Sequence, residues 1–232
     1  MTDADLDHLA LLELTQRDFL AAIDLAPADA PVPACGAWTV ADLVDHLAGI
    51  HHWAAAMARG QDEVPLDRDG APLAEHYARC ARELAATLAD VGPDAPCETL
   101  EGAGRASFWR RRQLHETLVH LWDLRTAAGL AVDAPPEVWA DTVDEVVHVM
   151  QPRQVRLGRM PALDVALDLT ALDAGRTWRL GPGRDAPHAA VAGSAASLAL
   201  LLWGRRTPGG PHLAVAGDAA ALDRALAQAL VP

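Results

Sequence analysis

The sequence predicts a bundle of four helices followed by a small α+β domain. Three observations carry this reading. Four segments of roughly twenty residues repeat their apolar residues at helical spacing. After Met160-Pro161 the pattern changes to alternation, Leu163-Asp164-Val165-Ala166-Leu167-Asp168-Leu169, as in a half-buried strand. The hydrophobic fraction is 51% and much of it is alanine, the strongest helix former.

The first helix is expected over residues 3–25, with Leu6, Leu9, Leu12, Phe19, Leu20 and Ile23 toward one side, until Pro27, Pro31 and Pro33 break it. Thr39 followed by Val40-Ala41-Asp42 is a capping box with Asp in the Glu position, and opens a second helix that runs to Arg59 and stops at Gly60. A third spans 72–91 and ends at Gly92-Pro93; a fourth runs from Phe108 to about Ala128, with Ser107 as its cap and Gly129 as its stop. Four helices of this length joined by loops suggest a four-helix bundle with an internal site, and the long connections leave its topology open. A further helix over 137–157 follows Pro135-Pro136. Strands near 163–169, 177–180, 189–192 and 213–216, with helices over 194–203 and 219–230, then form an α+β unit of antiparallel strands. The domains are placed at 1–159 and 160–232.

The totals exclude several classes. A net charge of −13 over 232 residues opposes binding to nucleic acid, whose phosphates require basic surface. No stretch has the length of apolar sequence that spans a membrane, and the acidic N-terminus resembles neither a signal nor a transit peptide. Cys35, Cys80 and Cys97 are odd in number and lack CxxC spacing, which fits reduced thiols in the cytoplasm rather than a disulfide framework.

The chemistry lies in His115-Glu116-Thr117-Leu118-Val119-His120-Leu121-Trp122-Asp123. Residues four apart on a helix sit roughly 40° from each other, so Glu116 and His120 share a face among leucines. Asp123 falls near the same stripe and suits the orientation of His120. Buried there, the carboxylate needs a partner: an ion pair with His120, or a divalent metal. His115 and His120 are five apart, so this is no two-histidine metalloprotease helix, and Glu116 would be a ligand rather than a base. His46 is the best third donor, with Asp42 one turn before it and Gly49 one turn after, removing bulk beside the imidazole. Together His46, Glu116 and His120 make a two-histidine, one-carboxylate set suited to catalytic zinc with an open position. His51 and His52 are rotated well away from His46 and are expected to face other helices or solvent. His115, His8, His76, His148, His188 and His212 read as structural or exposed. Of the run Arg110-Arg111-Arg112, only Arg112 points toward the site.

Trp38-Thr39-Val40-Ala41-Asp42-Leu43-Val44-Asp45-His46-Leu47-Ala48-Gly49, with His115 through Asp123, resembles the mycothiol-dependent maleylpyruvate isomerase family, part of the DinB-like group of metal-binding bundles. Val191-Ala192-Gly193-Ser194, Leu201-Leu202-Trp203-Gly204-Arg205 and Val215-Ala216-Gly217-Asp218 are similar to its C-terminal domain. The resemblance implies a DinB-like four-helix bundle with an α+β C-terminal domain and a divalent metal, zinc first, on His46, Glu116 and His120. It also implies mycothiol as thiol cofactor and an active-site arginine, for which Arg205, with Arg206 beside it, is the candidate. The implied reaction is isomerisation of a small electrophile by reversible thiolate addition. Two readings compete with it: a mycothiol S-transferase, and a non-catalytic metal or small-ligand binding protein.

Overall fold

The computed structural model of the chain describes residues 6–62, 65, 66, 68, 70–183 and 185–232. They form two compact units, Met1–Val132 and Asp133–Pro232. The first unit holds four long helices: α1 (His8–Ala22), α2 (Val40–Arg59), α3 (Leu73–Val91) and α4 (Ser107–Ala127). Residues 3–5 of the expected first helix lie outside the described residues. α1 packs on α4 and α3, and α2 packs on α3 and α4, so the helices follow one another around the bundle as α1, α4, α2, α3. Phe19, Leu43, Leu47, Tyr77, Leu121 and Leu124 meet in the core between them.

The ends of α2 follow the sequence signals. Asp42 N–H donates to Thr39 Oγ1 at 3.3 Å, and Thr39 N–H donates back to Asp42 Oδ2 at 2.8 Å. Gly60 ends the helix with φ 66°, a left-handed conformation that costs glycine nothing. Ser107 is the first residue of α4 rather than its cap; Ala106 precedes it and supplies no side-chain hydrogen bond. Between α3 and α4 a hairpin that the sequence reading did not anticipate, β1 (Pro96–Thr99) and β2 (Gly102–Arg105), pairs antiparallel.

The second unit opens with α5 (Pro136–Glu145), which passes through a π-helical turn at Val146–Met150 into α6 (Gln151–Arg156). Pro152 has no N–H and its ring crowds the carbonyl four residues back, which accounts for widened winding just before it. This helix belongs with the sheet, not the bundle: α5 packs on the later helix Ala195–Leu202. Asp144 accepts hydrogen bonds from Arg176 Nη2 and Trp178 Nε1 at 3.1 and 3.0 Å. The two units therefore divide at 132/133, earlier than the residue 160 suggested by the change to strand patterning.

The sheet contains β3 (Ala166–Ala171), β4 (Arg176–Leu180), β5 (His188–Gly193) and β6 (Leu213–Gly217) in the order β4-β3-β5-β6. Helix α7 is Ala195–Leu202 and α8 is Ala219–Leu226. The all-antiparallel expectation needs correction, because β3 and β5 run parallel, with Leu169 opposite Val191. β3 to β4 is a hairpin, so the chain must return past it before β5 joins the other side of β3. No helix among the described residues is long and apolar enough to cross a membrane.

Candidate metal centre

α2 and α4 bring His46, Glu116 and His120 together. One donor atom from each lies within 4.8 Å of the others. Glu116 Oε1 is 3.5 Å from His46 Nε2 and 3.3 Å from His120 Nε2. Ligands about 2.0–2.1 Å from a tetrahedral ion stand about 3.3 Å apart, so the spacing fits a small divalent cation. The donor chemistry, two imidazoles and one carboxylate, fits zinc as well.

Each donor is held from behind. Arg112, one turn before Glu116, donates from Nη2 to Glu116 Oε2, which leaves Oε1 turned to the histidines. His120 Nδ1 pairs with Asp123 Oδ2 at 2.9 Å, fixing the ring so that Nε2 faces the centre. The thiol of Cys35, in the 3₁₀ turn Pro33–Cys35, donates to the same Asp123 oxygen at 3.4 Å. Cys35, His120 and Asp123 thus form a second close cluster that shares its histidine with the first. The Trp38 ring lies 4.8 Å from that of His46. Exposure separates the donors: His120 keeps 6% of its side-chain surface and His46 31%, so the centre opens beside His46.

Electrostatics follow from these contacts. Burial pushes the Glu116 carboxyl up, but the Arg112 guanidinium and hydrogen bonds from His120 and His46 outweigh it and hold it well below the usual carboxylate range. Burial disfavours a charged His120, yet hydrogen bonds to Asp123, Cys35 and Glu116 raise it well above an ordinary imidazole. Without metal, His120 therefore carries a proton between two carboxylates. A cation would take the place of that proton.

His51, expected to face another helix or solvent, faces another helix, α4. It is fully buried, and its Nδ1 pairs with Gln113 Oε1 at 2.9 Å. The amide oxygen only accepts, so Nδ1 carries the hydrogen and Nε2 has a bare lone pair with no partner among the described residues. Burial pushes its pKa down to about 4. Glu116, His120 and His46 are close enough to act on it electrostatically. The signal in the sequence was the polar Gln113, one turn before the Thr117 position on a helix buried on nearly every side.

Arg205 belongs to the second unit. Its Nη1 donates to the Trp203 carbonyl at 2.8 Å, and its guanidinium lies 5.8 Å from the centre of the Trp203 ring. With Arg206, Thr207 and His212 it lines a cavity of about 330 Å³. Arg206 Nε is buried there without a partner among the described residues.

A four-helix bundle that gathers two imidazoles and a carboxylate, followed by an α+β unit, is the class of protein this fold defines. Residues 13–125 match the mycothiol maleylpyruvate isomerase N-terminal domain, and residues 137–224 match the C-terminal domain of the same family. The chain belongs to that family, whose name is that of an enzyme. The fold is shared with the crystal structure of the mycothiol-dependent maleylpyruvate isomerase, at TM-score 0.67 and 19% identity, covering 94% of this chain and 97% of that one. A histidine-to-alanine mutant of that enzyme is similar at TM-score 0.66 and 18% identity over the same shares. Two uncharacterised proteins of Mycobacterium tuberculosis are 29% identical over 136 residues, which is 57% of this chain and 74% of theirs.

Proposed function

We propose that this protein is a metal- and mycothiol-dependent isomerase of the maleylpyruvate isomerase type, acting on a small carboxylate-bearing cis alkene conjugated to a carbonyl. The observation that carries this reading is the gathering of His46, Glu116 and His120 donor atoms within 4.8 Å of one another, with Glu116 Oε1 3.5 and 3.3 Å from the two histidine Nε2 atoms. A divalent ion held there supplies charge that stabilises a thiolate at neutral pH. Glu116 offsets part of that charge, Arg112 and Asp123 keep Glu116 and His120 aimed, and the exposed side of His46 is the way in for thiol and substrate.

The reaction is balanced without an oxidant or a net proton. The thiolate adds to one alkene carbon, forming a C–S bond and moving the alkene electrons into an enolate. The former double bond rotates as a single bond. The enolate electrons return, the C–S bond breaks, and the trans alkene leaves with the thiolate regenerated. An arginine fork matches the substrate carboxylate and favours the enolate charge; Arg205 is assigned that role, with Arg206 as its neighbour.

The test is incubation of the metal-loaded protein with mycothiol and maleylpyruvate, following the trans product. A stable thiol conjugate in place of recovered thiol would instead make it an S-transferase. Loss of metal from His46→Ala with retained helicity supports the ligand set. Full metal retention in that variant overturns it.

A further inference from the structure

On the side of the bundle away from the α2–α4 seam, α1 and α3 enclose a cavity of about 410 Å³. Its walls are Leu20 and a row of alanines on α3, Ala78, Ala81 and Ala85, which hold the two helices apart only weakly and leave an apolar trough. A trough of small residues has no meaning alone. What marks this one is its polar groups. Gln16 is 6% exposed and its Nε2 is buried without a partner among the described residues. Tyr77 is 0% exposed, and its hydroxyl is likewise buried and unpartnered. Leaving such groups unsatisfied costs about 1–3 kcal/mol each.

The rim adds the same kind of group. Arg17 and Arg82 line the cavity, and neither has a hydrogen-bond or ion-pair partner among the described residues. They stand on one seam of a chain whose net charge is −13. Glu13, one turn before Arg17, contributes one opposing charge and leaves a local excess of one positive. The Gln16 amide N–H and the two guanidiniums can only donate, and the Tyr77 phenol can donate as well as accept. The complementary ligand accepts, carries negative charge and has an apolar body. A neighbouring cavity of about 590 Å³ shares Leu20, Ala78 and Arg82 and lengthens the seam for that body.

We propose that the α1–α3 seam is a second binding site, separate from the metal centre, that takes a small amphipathic monocarboxylate with its chain along the alanines of α3. The site also touches the interior of the bundle. Tyr77 stands 5.6 Å, ring to ring, from His51, whose Nδ1 is bound to Gln113 of α4. Occupancy is therefore felt by the buried polar residues next to the centre.

The experiment titrates the full-length protein with octanoate and, separately, 1-octanol, following backbone amide shifts by NMR. Octanoate is expected to bind saturably, to shift α1 and α3 amides around Gln16 and Ala78, and to exceed octanol in affinity by about tenfold, as two partly exposed ion pairs allow. Arg17→Ala combined with Arg82→Ala should erase that difference. Ala78→Leu, which fills the trough from a half-buried position, should block both ligands with thermal unfolding unchanged. Shifts centred on His46 and Glu116, equal affinity for octanol and octanoate, or no saturation overturn the proposal. So does a dimer, seen by sedimentation, that the same arginine substitutions dissociate, because the seam would then belong to a second copy of the chain.

Discussion

Glu116 and Asp123 are both carboxylates beside His120, yet they sit in different electrostatic positions. Glu116 Oε1 faces both histidine Nε2 atoms, whereas Asp123 meets His120 at its other ring nitrogen, Nδ1. Glu116→Gln keeps the shape but removes the charge that offsets a cation, so it should abolish tight metal binding. Asp123→Asn should weaken it by about 10–100-fold, as removal of a ligand's orienting partner does. Competitive chelator titration of the two variants checks the order, and the reverse order would make Asp123 the ligand. His51 gives a prediction of opposite kind. Its pKa is pushed down to about 4 by burial, against 6.5 in an unfolded chain. Between those values the unfolded state binds the proton and the native state does not, so stability falls as pH drops from 6.5 toward 4. The loss amounts to roughly 3 kcal/mol from this residue. Urea unfolding at several pH values should show a flatter acid limb in His51→Asn than in the parent. Parallel curves would mean that His51 is not buried neutral. The stripe of Glu116 and His120 was legible because residues four apart must share a face. His51 was not, because α4 buries residues on nearly all sides and a helical wheel of α2 alone cannot show which neighbour it meets.

At the scale of elements, legibility followed the strength of local chemistry. α2 was readable to the residue because Thr39, Asp42 and Gly60 each satisfy a backbone group that the helix leaves open. The hairpin β1–β2 was missed because four residues per strand, with Gly102 and Gly104 in one of them, carry too little alternation to stand out. The boundary was misplaced because a helix pattern does not say which unit it packs on; only α5 against α7 decides that. Parallel pairing of β3 and β5 is a property of the chain's return path, which side-chain alternation does not encode. Gly49 offers a test of a sequence reading that fails. It was taken to make room beside His46, but a Cβ built there meets nothing within 4 Å. The backbone is helical, so the glycine costs helix stability without relieving a clash. Gly49→Ala should therefore raise the unfolding free energy by up to about 1 kcal/mol. Chemical denaturation reads this directly, and destabilisation would show that the space is not open.

At the scale of the molecule, each unit gathers charged and metal-ligating side chains of its own. The first brings His46, Glu116 and His120 together; the second carries a cavity lined by two guanidiniums, Arg205 and Arg206. The bundle's own Arg112 is engaged by Glu116, so it is a poor grip for a substrate carboxylate. If Arg205 supplies that grip, Arg205→Ala should leave metal content and the unfolding curve unchanged. It should lower kcat/KM for a carboxylate-bearing electrophile by about 10–100-fold, the worth of a charge-assisted pair. The same substrate as its uncharged methyl ester separates binding from architecture. A variant that has lost only a carboxylate partner turns over the ester as the parent does, whereas a variant with a disturbed second unit loses both. Arg206→Ala measured alongside decides between neighbours: its buried Nε already lacks a partner, so its removal should matter less than that of Arg205 unless the substrate is what completes it. A larger loss in Arg206→Ala, confined to the charged substrate, would transfer the role to Arg206 and leave Arg205 to its contact with Trp203.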